Sequence, residues 1–253
     1  MQHILGIDIG GTGIKSALVD LEAGKLVSRR HRVLTPESRQ PADVLAATAE
    51  AVHHFHQYQG PIGVGFPAVI VGGCPKTPFS AYQVTSWLDY PVADKLAEMT
   101  GCPVTVLNDA DAAGLAEMRF GAGRGVRGLV ILLTLGTGIG SGVFYEGVLV
   151  PNTEFGHMYL KNRPNVAEFY ASERARIERK LKWREWAVEL DAYLLHLVRI
   201  FTPDLFIIGG GVSQDFEKFV RYLTVNTPLV PATLGNHAGI IGAALAAPLP
   251  PPT

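Results

Sequence analysis

Short apolar runs, cut by glycine, threonine and charged residues, set the pattern along this chain. Leu5–Ile9 and Ser16–Asp20 flank a Gly-Thr-Gly-Ile tetrapeptide at Gly11–Ile14, and Val130–Leu135 and Ser141–Tyr145 flank a second copy at Gly136–Ile139. β-Branched and large apolar residues on either side of Gly and Thr predict strand, tight turn, strand. Each copy turns again, at Leu21-Glu-Ala-Gly24 and at Glu146-Gly147, into a third strand, Lys25–Val33 and Val148–Val150. The repeated order predicts an internal duplication. A glycine-rich turn presents backbone N–H groups with no side chain in the way, so two such turns predict two related halves holding one phosphate-bearing ligand.

Between and after the copies the period lengthens. Pro41–Gln57 carries Val44, Leu45, Thr48, Val52 and Phe55 at helical spacing, and Trp186, Leu190, Leu194, Leu197 and Phe201 step along one helical face until Pro203. Pro61–Val71 reads as a strand, Pro91–Gly101 as a helix ended by glycine, Pro103–Leu107 as a buried strand, and Asn108–Met118 as a strand end passing into a helix. Leu205–Ile208 is a strand before the triple glycine Gly209–Gly211; a helix follows, then an Ala-rich helix from Ala238 and a proline-rich tail, Pro248–Pro252, expected to fray. Hairpins with alternating strands and helices predict an α/β protein of two lobes, each with a mixed sheet. The first lobe is expected over 1–107 and the second over 108–237, with the last helix, about 238–253, crossing back.

Composition narrows the partners. The 253 residues are 47% hydrophobic and 18% charged with a net charge of −1, an ordinary globular balance that gives no global attraction to nucleic acid or an anionic membrane. The two cysteines, Cys74 and Cys102, form no Cys-x-x-Cys pair, which argues against a thiolate zinc site or a disulfide framework. No basic leader precedes the first strand and no apolar stretch reaches the roughly 20 residues of a membrane span. A cytoplasmic location is the expectation.

Gly6–Lys15 lacks the Walker spacing, and the Gly136 copy is followed by a strand where a dinucleotide fingerprint needs a helix. Hairpin phosphate turns remain. Asp8, just before the first turn, is placed to hold a hydrated Mg²⁺, with Lys15 beside it. The second turn has no charged neighbour in sequence and is expected to steady the rest of the donor through its backbone. Asn108, Asp109 and Asp111 follow a buried strand; a carboxylate there suits proton removal from an attacking hydroxyl, with Asp109 expected as the base and Asp111 as a helix cap. Glu154 and His157, three residues apart around a glycine, are expected to face one cleft and bind sugar hydroxyls. Arg119, Arg124 and Arg127 form a basic group suited to a long polyanion. Arg174, Arg176, Arg179, Lys180, Lys182 and Arg184 read as a solvated helix face.

These residues resemble a sugar kinase of the repressor/open-reading-frame/kinase (ROK) family, in the actin/hexokinase-like (ribonuclease H-like) superfamily, and within it the polyphosphate glucokinase branch. The likeness is dense in Gly6–Lys15, Leu107–Gly125, Thr134–Gly142, Val150–Met158 and Pro203–Ser213. Asn108-Asp-Ala-Asp-Ala-Ala-Gly114 and Pro151-Asn-Thr-Glu-Phe-Gly-His157 are the most specific strings. The resemblance implies a Mg²⁺-dependent transfer of the terminal phosphoryl group of inorganic polyphosphate, and also of ATP, to the 6-hydroxyl of glucose. It implies Asp109 as base and Asn108, Glu154, His157 and Glu168 as sugar ligands, Glu168 through the pattern Glu168-x-x-x-Ser172. Gly10, Gly11, Thr12, Gly13, Lys15, Gly136, Thr137 and Gly138 would hold phosphoryl groups, and Gly209, Gly210 and Gly211 the adenosine side of a nucleotide. A homodimer through the second lobe is implied too. Two departures stand out. The cysteine cluster that binds zinc in many relatives is absent, so His157 is not expected to ligate zinc. The loop Phe79–Ser86 lacks the branch's Asn and Asp. The alternatives are an ATP-only ROK hexokinase and a non-catalytic sugar sensor; the sensor would carry an N-terminal helix-turn-helix, for which no room is expected ahead of Gly10.

Overall fold

The computed structural model describes residues 3–56, 58–79 and 83–248. Gln57, Ser80–Tyr82 in the loop before Trp87, and the proline-rich tail beyond Pro248 lie outside the described residues. The chain divides into two compact units, Met1–Ala116 with His237–Thr253, and Glu117–Asn236.

In the first unit β1 (His3–Ile9) and β2 (Ile14–Asp20) form an antiparallel hairpin, and β3 (Lys25–Leu26) and β4 (His31–Val33) both pair with β2. The expected third strand, Lys25–Val33, is therefore interrupted. The Ser28 hydroxyl accepts the Leu18 N–H at 3.0 Å, which replaces a ladder bond and lets the strand bulge. β5 (Ile62–Phe66) runs parallel to β1, and β8 (Val104–Asn108) parallel to β5. Pro67 ends β5, so Pro61–Val71 is not one strand: β6 (Ile70–Val71) turns back on β7 (Cys74–Pro75). One sheet face presents Leu5, Ile7, Ile62 and Val64 to α1 (Pro41–His53) and α2 (Val92–Thr100), in a core that includes Phe66, Phe79 and Trp87. α1 stops at His53, short of the expected Gln57, and α2 ends at Gly101 with φ 68°. The opposite face is built from Gly6 and Gly63, where a Cβ would lie 2.0 Å from the Ile240 carbonyl oxygen and 1.7 Å from that of Ala243. The missing side chains let α8 (Ala238–Leu245) lie directly on β1 and β5.

The second unit repeats the plan. Its sheet order is β11-β10-β9-β12-β13 against β3-β2-β1-β5-β8 in the first. Here β9 (Leu129–Leu135), β10 (Ile139–Tyr145) and β11 (Val148–Val150) are antiparallel, and β12 (Leu205–Gly209) and β13 (Leu229–Pro231) extend the sheet in parallel. Trp186, Leu190, Tyr193, Leu194 and Leu197 of α6 (Trp183–Phe201) pack on Ile131, Leu133, Phe206 and Ile208.

Two further expectations change. The boundary between units falls at Ala116, inside α3 (Asp109–Phe120), rather than at Leu107. The first half of α3 packs on the first sheet, with Ala112 against Gly65 and Gly242, so Asn108 and Asp109 belong to the first unit. The basic stretch is not one helix: α4 (Glu168–Ala171) and α5 (Glu173–Glu178) precede a turn at Lys180 (φ 53°) before α6. The short α7 (Phe216–Phe219) follows the triple glycine. Among the described residues no helix is long and apolar enough to cross a membrane.

Candidate active site

In the first unit the functional candidates gather at the C-terminal ends of three neighbouring parallel strands. Asp8 of β1 pairs with Gly65 of β5, which pairs with Leu107 of β8. A Cβ on Gly65 would sit 3.6 Å from the Asp109 Cα, so Asp109 lies over the strand that separates it from Asp8. Asn108, not Asp111, caps α3: its Oδ1 accepts the N–H groups of Ala110 (2.9 Å) and Asp111 (3.1 Å), while its Nδ2 donates to the Ala68 carbonyl at 3.1 Å. That leaves one Asn108 N–H for a ligand, and Asp111 is buried.

The Gly10–Gly13 turn is polarised. The Gly10 N–H donates to the Gly13 carbonyl at 3.1 Å. The Gly10 carbonyl accepts the Thr35 hydroxyl (2.5 Å) and the Thr12 carbonyl accepts Arg32 Nη2 (3.1 Å). Among the described residues the N–H groups of Gly11, Thr12 and Gly13 meet no acceptor. Three of the four carbonyls are thus tied back while three donors stay available, the polarity an anion needs. Lys15 Nζ lies 2.9 Å from Asp8 Oδ2, across the hairpin. Thr35 and Arg32 escaped the sequence reading. Continuing the Asp20–Lys25 pairing regularly sets Arg30 opposite Lys15, whereas the bulge at Ser28 brings Arg32 there.

In the second unit His157 stands between two carboxylates, its Nδ1 3.9 Å from Glu154 Oε2 and its Nε2 4.0 Å from Glu168 Oε1. Glu154 belongs to the loop after β11, His157 to a single 3₁₀ turn, and Glu168 to the first turn of α4. Burial pushes the Glu154 carboxyl above its ordinary range; His157 opposes the shift and Glu168 adds to it. The Tyr193 hydroxyl is buried with no hydrogen-bond partner among the described residues, and burial, with Glu168 and Glu154 nearby, pushes it upward as well.

The Gly136–Gly138 turn has a charged neighbour that its sequence does not show. Glu168 Oε2 accepts the Ile139 N–H at 3.1 Å and would lie 2.6 Å from a Cβ on Gly138. The Gly136 carbonyl accepts the Arg174 N–H at 3.0 Å. Gly210 (φ 79°) packs against the Leu135 backbone, and a Cβ on Gly211 would lie 3.1 Å from Glu173 Oε2. The basic residues separate. Arg119, Arg124 and Arg127 are exposed, with Arg127 paired to Glu146 at 3.2 Å. Arg179 pairs with Glu189 and Arg176 covers the Trp183 ring at 3.9 Å, so these two serve packing as well as solvation. Among the described residues no group of three His, Cys, Asp or Glu side chains is placed to hold a metal.

A duplicated five-strand plan, with a polarised glycine turn on one hairpin and acidic residues at strand ends, defines the actin/hexokinase-like sugar-kinase fold. The chain belongs to the ROK family, whose profile matches residues 4–175. It is 45% identical over 246 residues to a polyphosphate glucokinase of Mycobacterium tuberculosis, covering 97% of this chain and 91% of that one. The inorganic polyphosphate/ATP-glucomannokinase of Arthrobacter sp. strain KM superposes with a TM-score of 0.91 at 45% identity, covering 97% and 98% of the two chains. A ROK family glucokinase from Streptomyces griseus, solved with glucose and AMPPNP, gives a TM-score of 0.80 at 29% identity, covering 97% and 99%.

Proposed function

We propose that this chain is a glucokinase that transfers the terminal phosphoryl group of inorganic polyphosphate, and also of ATP, to the 6-hydroxyl of glucose. The observation that carries the reading is its 45% identity, across 97% of its length, to a polyphosphate glucokinase. Asp109 accepts the proton of the 6-hydroxyl as that oxygen attacks the terminal phosphorus; the bridging P–O bond breaks and the shortened donor leaves with the electron pair. Glu154, His157, Glu168 and the remaining Asn108 N–H bind the sugar hydroxyls. The free N–H groups of the Gly10–Gly13 turn and Lys15 take the phosphoryl oxygens. Thr137, Gly138, Gly209–Gly211 and the exposed Arg119, Arg124 and Arg127 take the rest of the donor.

Asp8 stands close to the polarised turn, and among the described residues it belongs to no group of three potential metal ligands, which fits a Mg²⁺ ion held mainly by donor phosphates and water rather than by a protein cage. When bound, that ion neutralises charge on the transferring group. The protein is read as a cytoplasmic homodimer; support for the dimer is the exposed apolar pair Val188 and Leu195, two turns apart on one face of α6. Light scattering of the purified chain checks that state.

The test of the function is Asp109→Asn with a donor panel. Turnover should fall about 10²–10⁴-fold, the range of general-base catalysis, while glucose binding by calorimetry stays within a few fold. Near-normal turnover by the variant removes Asp109 as base. Wild-type turnover with ATP but none with polyphosphate reduces the reading to an ATP glucokinase.

A further inference from the structure

We propose that Arg32 is a donor-binding residue: its guanidinium, lying on the Gly10–Gly13 turn, takes an oxygen of the phosphoryl chain presented there. The inference rests on the kinase reading and adds to it a residue outside the glycine motif. Register places it. Asp8 of β1, Lys15 of β2 and Arg32 of β4 lie directly opposite one another, so their side chains form one cross-strand row beside the turn. Within that row Lys15 is neutralised by Asp8 at 2.9 Å. Arg32 is exposed and makes no ion pair among the described residues, so the row carries one uncompensated positive charge. Its position is fixed at two points. Nη2 donates to the Thr12 carbonyl at 3.1 Å, and Nε occupies the space a Gly13 Cβ would fill, 2.5 Å from that point.

Gly13 has no positive φ, so its backbone does not call for glycine; what a Cβ there would displace is the Arg32 guanidinium, the far end of a flexible side chain. One Arg32 N–H is spent on Thr12, and the planar fork of this exposed side chain keeps four more donors beside a turn whose Gly11, Thr12 and Gly13 N–H groups meet no acceptor among the described residues. A planar cation on the same turn as three unengaged N–H groups matches a condensed phosphate better than a neutral hydroxyl or a carboxylic acid. Because the contact is to phosphoryl oxygens, it serves polyphosphate and ATP alike.

Three variants separate charge from bracing: R32Q keeps a donor for the Thr12 carbonyl but loses the charge, R32K keeps the charge, and G13A displaces the guanidinium while retaining it. Steady-state kinetics with long-chain polyphosphate and with ATP are paired with calorimetric binding of inorganic tripolyphosphate over a range of ionic strength. R32Q should lower kcat/KM for both donors about 10–100-fold, the range for one lost charge-assisted hydrogen bond, with the glucose KM within about twofold. R32K should stay within about fivefold of wild type, and G13A should fall between them. The salt dependence of tripolyphosphate binding should flatten in R32Q but not in R32K, as it does when one cation–phosphate contact is removed. Equal behaviour of R32Q and wild type, or equal losses in R32Q and R32K with unchanged salt dependence, overturns the proposal. If wild type turns over no donor, the kinase reading falls, and tripolyphosphate binding still decides the role of Arg32.

Discussion

The two Gly-Thr-Gly-Ile turns share a tetrapeptide and a sheet plan, yet they differ in length and in charge. The first spans four residues between the paired Ile9 and Ile14; the second spans three between Leu135 and Ile139. Gly10 is the extra residue, and its N–H and carbonyl are both used inside the first unit, by Gly13 and Thr35. Around the first turn stand Lys15 and Arg32 with one carboxylate, Asp8; against the second stands the Glu168 carboxylate. The duplicated backbone supplies N–H donors to both, and residues outside the motif decide which turn favours an anion. On the proposed reading the first takes phosphoryl groups. The second would be shared between donor and sugar, because Glu168 holds its Ile139 N–H and also faces His157.

The strongest challenge to this contrast exchanges the residues that precede each turn. By register Asp8 corresponds to Thr134, since Asp8 pairs with Lys15 and Gly65 as Thr134 pairs with Gly140 and Gly209. Asp8→Asn should reduce kcat about 10²–10³-fold with either donor, the scale of losing one preorganised electrostatic partner of the transferring group, and leave glucose binding intact. Thr134→Val should cost only a few fold. Comparable losses in the two variants would make the turns equivalent and refute the division of labour.

A smaller effect tests the sharing at the second turn. Glu168→Gln keeps an oxygen for the Ile139 N–H but removes the charge. The glucose KM should rise about 10–100-fold, as for a charged hydrogen bond replaced by a neutral one, while the KM for polyphosphate moves little. A rise confined to the donor KM would assign Glu168 to the wrong substrate.

Much of this was legible in the chain. Strand-turn-strand units, the Asn108-Asp109 strand end and the α6 stripe are local patterns of period and residue type, and the residues that carry them lie where that pattern places them. Three things were missed, two of them because they are not local. Ser28 breaks the third strand with a side-chain hydrogen bond, which moves the register by two residues and brings Arg32, not Arg30, opposite Lys15. Asn108 outcompetes Asp111 for the cap because it stands immediately before the helix. Glu168 meets the second turn although 29 residues separate it from Ile139. No spacing rule reaches such contacts.

The two sheets also differ on the faces away from their main cores. Gly6 and Gly63 in the first occupy the register positions of Leu132 and Ile207 in the second. The glycines admit the α8 backbone, whereas Leu132 and Ile207 fill the space with buried side chains. Gly63→Ala should destabilise by about 3 kcal/mol, the upper end of overpacking costs, because its Cβ would meet a backbone oxygen that cannot step aside. Ile207→Val should cost only about 0.5–1.5 kcal/mol. Denaturant melts of both variants measure the difference. A Gly63→Ala protein as stable as wild type would show that α8 is not seated on that face.

The smallest predicted effect separates function from stability at the carboxylates proposed to bind the sugar. Glu154 is partly buried, with 26% of its side chain exposed, and its carboxyl is pushed above the ordinary value of 4.5, first by burial and also by Glu168. A carboxyl whose folded value is raised binds its proton more tightly in the folded state. Its contribution to stability is therefore fully present below the unfolded value and is lost as pH rises through the folded one. Above that window the charged Glu154 works against the fold. Glu154→Gln, which stays neutral, should melt slightly higher than wild type near pH 8, and the gap should close below about pH 4, near the ordinary carboxyl value. The same variant should bind glucose more weakly, the exchange expected where a site retains a charge that its fold would stabilise by losing. Melting curves at the two pH values decide it: a gap that is absent at both, or that widens in acid, means burial does not govern this carboxyl.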